Sequence, residues 1–271
     1  MAKASDNLTK EQTKYGAFKY QLNLFFLAVS FFTRIPVPKS TRYSAYLLNC
    51  ANRYFSLVGL FLGLVLASVY LVLGQIFPVD VAIIITMIIS VLLTGAFHED
   101  GLADMADGIG GALEVSRRLE IMKDSRLGTY GAITLMLALV LKFQLLVNIA
   151  HVGNIELITT LVLASSLSRA FAASLISTLP YVSEVSSSKS KPLANKQTVS
   201  DLLMLFAIGL IPLLLFSWLV SVALLCVLMF FQLGFSRWLK SRIGGFTGDC
   251  LGAAQQINEL LIYLVVLAFL Y

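Results

Sequence analysis

The sequence predicts an all-α integral membrane protein, a polytopic bundle of about seven transmembrane helices with a re-entrant or interfacial helix near its N-terminus. The 271 residues are 58% hydrophobic and 13% charged, where soluble domains carry roughly 25% charged residues. Apolar runs long enough to cross a hydrocarbon core recur along the chain, separated by short turns or basic loops. The basic residues are segregated as well: all but two of the 20 Lys and Arg lie within residues 1–19, 34–53, 117–126, 189–196 and 237–242. A polar lead over residues 1–19 and a single membrane-embedded domain over 20–271 account for the length. The net charge of +5 reads as orientation in a lipid bilayer, not as a nucleic-acid surface.

The lead carries Lys3, Lys10, Lys14 and Lys19, too much charge for the apolar core of a cleaved signal. Tyr20 to Phe32 is apolar but short for a crossing, and Pro36 and Pro38 break the chain just beyond it. Both its flanks are basic, so it re-enters or lies in the interface. Arg34 at its tip either reaches a cytoplasmic site or snorkels to the surface as an anchor. The spans expected next are Tyr54–Phe77, Val81–Phe97, Tyr130–Ala150, Leu157–Leu179, Leu202–Ser217, Trp218–Phe235 and Leu251–Leu270. Gly59 and Gly63 put a small-residue stripe on the first of these, suited to close packing within the bundle or between copies in a homo-oligomer. The turns near 74–81, 150–156 and 217–220 hold no Lys or Arg, which sets the N-terminus in the cytoplasm and the C-terminus outside. Cys50, Cys226 and Cys250 show no paired spacing and read as apolar residues. No internal repeat is visible, which weakens a transporter with duplicated halves.

Chemistry concentrates between His98 and Gly131, where Glu99, Asp100, Asp104 and Asp107 fall within nine positions. Asp100, Asp104 and Asp107, at i, i+4 and i+7, share one face of a helix. Like charges so placed call for a cation, and Mg2+ with a phosphate substrate completing its shell fits oxygen ligands. The interleaved glycines allow close approach to backbone. Arg117, Arg118, Lys123 and Arg126 then offer cations for phosphate charge. The plainer alternative is an acidic helix and a basic one held by surface ion pairs. His98 is a candidate general base or metal-supporting residue, or an ordinary interfacial histidine; His151, in an outer turn, reads as structural.

Lys142 and Arg169 fall near the middle of their spans, and Glu259 about two turns inside the last. Charges at that depth are costly and face partners or polar cavities. They form either an internal ion-pair network or, for the two cations, the floor of an anion pocket. The loop Gly244-Gly245-Phe246-Thr247-Gly248-Asp249 is a second phosphate-cradle candidate, since its amides can converge ahead of a helix N-terminus; Asp249 caps that helix or binds a cation.

The run from His98 through Asp100-Gly101-Leu102-Ala103-Asp104 to Asp107-Gly108, with Ile121-Met122-Lys123-Asp124-Ser125-Arg126 and Gly128-Thr129-Tyr130-Gly131, resembles the signature of the cobalamin synthase family, the adenosylcobinamide-GDP ribazoletransferases. The likeness extends to Phe32–Val37, Lys142, Arg169-Ala170, Gly245–Asp249 and Glu259, and departs after Pro180-Tyr181, where Val182-Ser183-Glu184 stands in place of Ala-Arg and a glycine-rich piece. The resemblance implies a multi-pass enzyme of the bacterial inner membrane with its active site facing the cytoplasm. It implies Mg2+-dependent joining of adenosylcobinamide-GDP to α-ribazole or its 5′-phosphate with release of GMP. On that expectation Asp100, Asp104 and Asp107 hold the metal, with Asp124 or Asp249 completing the site. Lys123 and Arg126 neutralise the leaving phosphate, and His98 or an aspartate takes the hydroxyl proton. Arg34, Arg117, Lys142, Arg169, Thr247 and Gly248 are the expected substrate contacts. A CDP-alcohol phosphotransferase fits less well, because its Asp-Gly ladder needs Ala-Arg three residues after the glycine, where this chain has Asp104-Met105-Ala106. A cation-coupled transporter would place its acids at mid-membrane.

Overall fold

A computed structural model describes residues 16–182 and 197–271, so most of the polar lead and of the 181–200 loop lie outside the described residues. Among them no strand forms; the one β-bridge pairs Tyr181 with Phe246. The described residues form eleven α-helices in order: α1 Ala17–Phe32, α2 Ala45–Ala51, α3 Phe55–Leu73, α4 Val79–Thr94, α5 Phe97–Gly111, α6 Val115–Lys123, α7 Thr129–Val152, α8 Asn154–Thr178, α9 Val199–Gly209, α10 Trp218–Ile243 and α11 Gly248–Leu270. Short 3-10 turns occupy Asn52–Tyr54 and Ile211–Leu215.

The protein is a polytopic membrane helical bundle. Among the described residues five elements are long and apolar enough to cross: Ala45–Leu73 (α2, a 3-10 turn and α3), α7, α8, α10 and α11. The pair α4 and α5 makes a sixth only if counted as one broken span, for the two helices meet at 85°. The expectation of seven full-length spans is therefore not met by length. Two of the expected spans fall below that length, Val81–Phe97 (17 residues as read from the sequence) and Leu202–Ser217. α4 has 16 residues, a rise of about 24 Å against a core of about 30 Å. It ends at Gly95 and Ala96, both left-handed at φ 66° and 58°. Leu202–Ser217 is divided into α9 and a 3-10 turn with Pro212 at its start, where the ring removes a donor.

α8 is the hub. Almost all of α8 from Thr160 to Ile176 is buried, whereas α10 buries only Leu224, Leu228, Phe235, Leu239 and Ile243 and presents the rest of its apolar surface outward. The small residues of α8 let α3 close on it. A Cβ on Gly63 would stand 2.7 Å from the Val162 Cα, and one on Gly59 would overlap the Ser165 carbonyl. The glycine stripe of α3 thus serves packing within the bundle. Half-buried Arg53 pairs with buried Asp201 at 2.6 Å, tying the 3-10 turn to α9.

Two junctions position the polar end. The Arg34 N–H donates to the Leu93 carbonyl at 2.7 Å, seating the α1 exit on the last turn of α4, and the Arg34 side chain lies over Gly95 at the bend. α10 runs to Ile243, eight residues beyond the expected end, and stops at left-handed Gly244 (φ 79°). The short loop after it is pinned to the exit of α8: Phe246 N–H donates to Pro180 O at 2.9 Å and Val182 N–H to Phe246 O at 3.0 Å.

Candidate active site

α5 begins after the bend and lies against the first turns of α11. The crossing is made of glycine on both sides. A Cβ on Gly101 would stand 2.9 Å from the Asp249 carbonyl oxygen and 3.1 Å from the Gly252 Cα; one on Gly252 would meet Gly101 Cα and the His98 carbonyl at 3.2 Å. This contact carries Asp249, in the first turn of α11, up to the helix that bears Asp100, Asp104 and Asp107. Thr247 is the N-cap of α11, accepting from Cys250 N–H at 3.4 Å, and its hydroxyl stands 3.2 Å from Asp249 Oδ2. Next to it Gly248 is exposed with open space where a side chain would point.

The expected run of acids is helical, and charge accumulates on it. The Asp104 carboxyl, outside the crossing segments, is pushed up to about 7, first by burial and then by the charges of Asp100, Asp249, Asp107 and Asp124. Five carboxylates therefore act on one locus. They are gathered without being closed: among the described residues no three His, Cys, Asp or Glu form a ready-made cation site. All-oxygen donors under mutual repulsion fit a hard divalent cation whose remaining ligands come from substrate or water.

Asp107 has a duty that its spacing does not disclose. Gly128, at the N-cap of α7, has no side chain to cap with, and the buried Asp107 carboxylate does so instead. Its Oδ2 accepts from Gly128 N–H at 2.7 Å and its Oδ1 from Gly131 N–H at 2.8 Å. A Cβ at either glycine would run into that carboxylate. Each Asp107 oxygen keeps one further lone pair for another partner.

The basic residues divide by function. Arg118 is buried, donating to Ala112 O at 2.8 Å and Arg242 O at 2.6 Å, so it holds α6 to the end of α10. Arg126 pairs with Asp124 at 2.5 Å on the exposed rim, which sets two expected site residues against each other. Arg117 pairs with Glu120 at 2.8 Å, fully in solvent reach. Lys123 ends α6 beside Asp124.

Inside the bundle the two readings of the buried charges separate. Lys142 Nζ lies 2.9 Å from Glu259, both nearly dry, so Lys142 belongs to an internal pair and not to an open pocket floor. Tyr263 Oη and Gln255 Nε2 also donate to Glu259, at 2.7 and 2.8 Å. Arg169 donates to Ser165 O at 2.7 Å and sits over the Phe55 ring. His98 is 2% exposed, flanked by the rings of Phe32 and Phe55 with the Phe97 edge against it, and its Nε2 has no partner. It stands beneath the acids, in the core. Glu99 and Gln256 join the network at 3.1 Å. Sequence reasoning counts Glu99 among the acids but does not place it in this network, and it misses Gln255 and Gln256; the signal was Gln255-Gln256 one turn ahead of Glu259 in the same span.

Fold and site together define a polytopic membrane enzyme with an acidic, glycine-lined rim at one end of its bundle. The chain belongs to the cobalamin-5-phosphate synthase family, whose model matches residues 24–267. It is 54% identical over 252 residues to an adenosylcobinamide-GDP ribazoletransferase of Vibrio cholerae, covering 93% of this chain and 96% of that one. With the protein of the same name from Vibrio parahaemolyticus it shares 52% over 261 residues, 96% and 97% of the two chains. With that of Shewanella amazonensis it shares 52% over 253 residues, 93% and 97%. No solved structure matches the chain.

Proposed function

We propose that the protein transfers the cobinamide-bearing phosphate of adenosylcobinamide-GDP to α-ribazole or its 5′-phosphate. A ribose hydroxyl of the acceptor attacks the phosphorus nearest cobinamide, the bond from that phosphorus to the bridging oxygen breaks, and GMP leaves with that oxygen. The observation that carries this reading is the Gly101–Gly252 crossing, which sets Asp249 beside Asp100 and Asp104. Those three carboxylates hold Mg2+, with Asp107 and Asp124 bordering it; the metal supplies charge neutralisation on the diphosphate. Exposed Gly248 at the start of α11 gives a phosphate oxygen close backbone approach, with Thr247 fixing the turn. Lys123 meets the leaving phosphate, and Arg126 joins it by exchanging Asp124 for the substrate. With His98 enclosed by aromatic rings, the proton of the attacking hydroxyl goes to a rim carboxylate.

Counting α4 and the α9 segment as short crossings beside the five long ones restores seven, with the N-terminus inside. The acidic rim, flanked by the basic segments 117–126 and 237–242, then faces the cytoplasm of a bacterial inner membrane. The test is GMP release from adenosylcobinamide-GDP and α-ribazole by purified protein. Asp104→Asn abolishes release while the variant still inserts and runs as a folded species, and chelation stops the wild type until Mg2+ is returned. Full activity of Asp104→Asn sinks the reading.

A further inference from the structure

A cavity of about 440 Å³ lies between α1, the proline-containing segment after it and the start of α2, and none of its lining residues belongs to the acidic site. Leu22, Phe26 and Leu47 give it an apolar floor, while Lys19, Ser40 and Arg42 stand at its polar side. The walls are fixed to each other. Asn23 grips the Arg42 peptide from both sides, its Oδ1 accepting from Arg42 N–H at 2.8 Å and its Nδ2 donating to Arg42 O at 3.2 Å. Thr41, also in the lining, has a buried hydroxyl with no hydrogen-bond partner. Among the described residues Lys19 makes no ion pair. Next to the two cations in sequence are Phe18, 79% exposed, and Tyr43, 61% exposed. Large exposed aromatics beside Lys and Arg mark the headgroup level of a bilayer.

We propose that this cavity is a binding site for the phosphate headgroup of an anionic phospholipid. Lys19 and Arg42 meet the phosphate, Ser40 and Thr41 offer hydroxyls to its oxygens, and the first part of an acyl chain lies on Leu22, Phe26 and Leu47. A soluble anion would need only the cations. The apolar floor and the exposed Phe18 and Tyr43 favour a lipid, because they have no use for free phosphate. Such a lipid would staple the α1 segment, and with it the Arg34 contact at the α4–α5 bend, to the membrane surface.

The experiment uses the full chain purified in detergent, offered phosphatidylglycerol and phosphatidylcholine of matched acyl chains, with retained lipid read by native mass spectrometry. Each surface cation favours an anionic lipid by roughly fivefold, so the pair gives a preference of about 30-fold for phosphatidylglycerol. The double variant Lys19→Gln/Arg42→Gln brings that preference close to one while leaving GMP release in detergent unchanged. Leu22→Trp keeps both charges but fills the floor, and it abolishes retention of the first tightly held lipid. Excess inorganic phosphate weakens the binding of phosphatidylglycerol without abolishing it. Equal retention of the two lipids by the wild type overturns the proposal, as does an unchanged lipid complement in the double variant. Survival of the preference in Leu22→Trp overturns it too, since diffuse surface attraction would then explain the binding, and so does phosphate binding with no lipid retained.

Discussion

Replacing Gly101 by alanine tests the site without touching a carboxylate. The added methyl would stand 2.9 Å from the Asp249 carbonyl oxygen and 3.1 Å from the Cα atoms of Asp249 and Gly252, whereas ordinary contact begins at 3.4 Å. The two helices must part by about half an ångström, and the obstacle is backbone, which has no alternative rotamer. Overpacking of this order costs about 1–3 kcal/mol, which a bundle of this size survives. The rate suffers more, because misplacing converging groups by about 1 Å costs on the order of 10²-fold. The expected result is a folded, inserted protein whose GMP release falls about 10- to 100-fold and whose half-saturating Mg2+ concentration rises. The control is Gly63→Ala, which crowds Val162 at 2.7 Å where α3 packs on α8; it lowers thermal stability while leaving the metal requirement of the surviving protein unchanged. Wild-type turnover at the wild-type Mg2+ requirement in Gly101→Ala refutes the idea that the α5–α11 contact assembles the site.

Two further substitutions separate structural acids from reactive ones. Asp107→Asn places an amide donor against the Gly128 and Gly131 N–H groups, and it should cost about 1–3 kcal/mol in a thermal or denaturant melt. Per folded molecule its GMP release should fall far less than that of Asp104→Asn. Lys142→Met leaves Glu259 charged and unpaired in the core, at a cost of about 3–5 kcal/mol. Adding Glu259→Gln should recover most of that stability in a double-mutant cycle, and equal melts for the single and double variants would show that the pair does not hold the bundle.

How local each feature is decides whether the sequence discloses it. The helical acid face, the short first helix with its proline break and the glycine stripe of α3 are set by neighbours within a turn or two, and periodicity exposes them. The break inside Leu202–Ser217 and the bend at Gly95–Ala96 are not disclosed because apolar composition continues past the points where the backbone turns. Pro212 was a visible warning, whereas left-handed Ala96 carries no mark in its side chain. Asp107 as the cap of α7 is a contact across 21 and 24 residues. A readable hint existed in Gly128, a helix start with no capping side chain of its own. The choice between pocket floor and ion pair for Lys142 needed the relative rotation of α7 and α11, which no spacing within one helix can supply.

The 85° bend explains why so charged a helix belongs in so apolar a chain. Had α5 continued α4 in a straight line, Asp100 and Asp104 would project into solvent with full hydration, and neither would have reason to hold a cation tightly. Folding α5 back onto α11 removes part of that water and adds Asp249 to the same locus, so that Asp104 is raised to about 7 by burial and by its neighbours. The repulsion stored there is held by apolar and polar contacts beneath the acids: His98 between Phe32 and Phe55, Glu99 on Gln256, and glycine against glycine at the crossing. On the proposed function a divalent cation with a diphosphate would relieve that repulsion, so ligand binding should stabilise the fold as well as permit the reaction. Melting temperature should therefore rise with Mg2+ in the wild type and respond much less in Asp104→Asn; an equal rise in both would mean that the metal binds elsewhere.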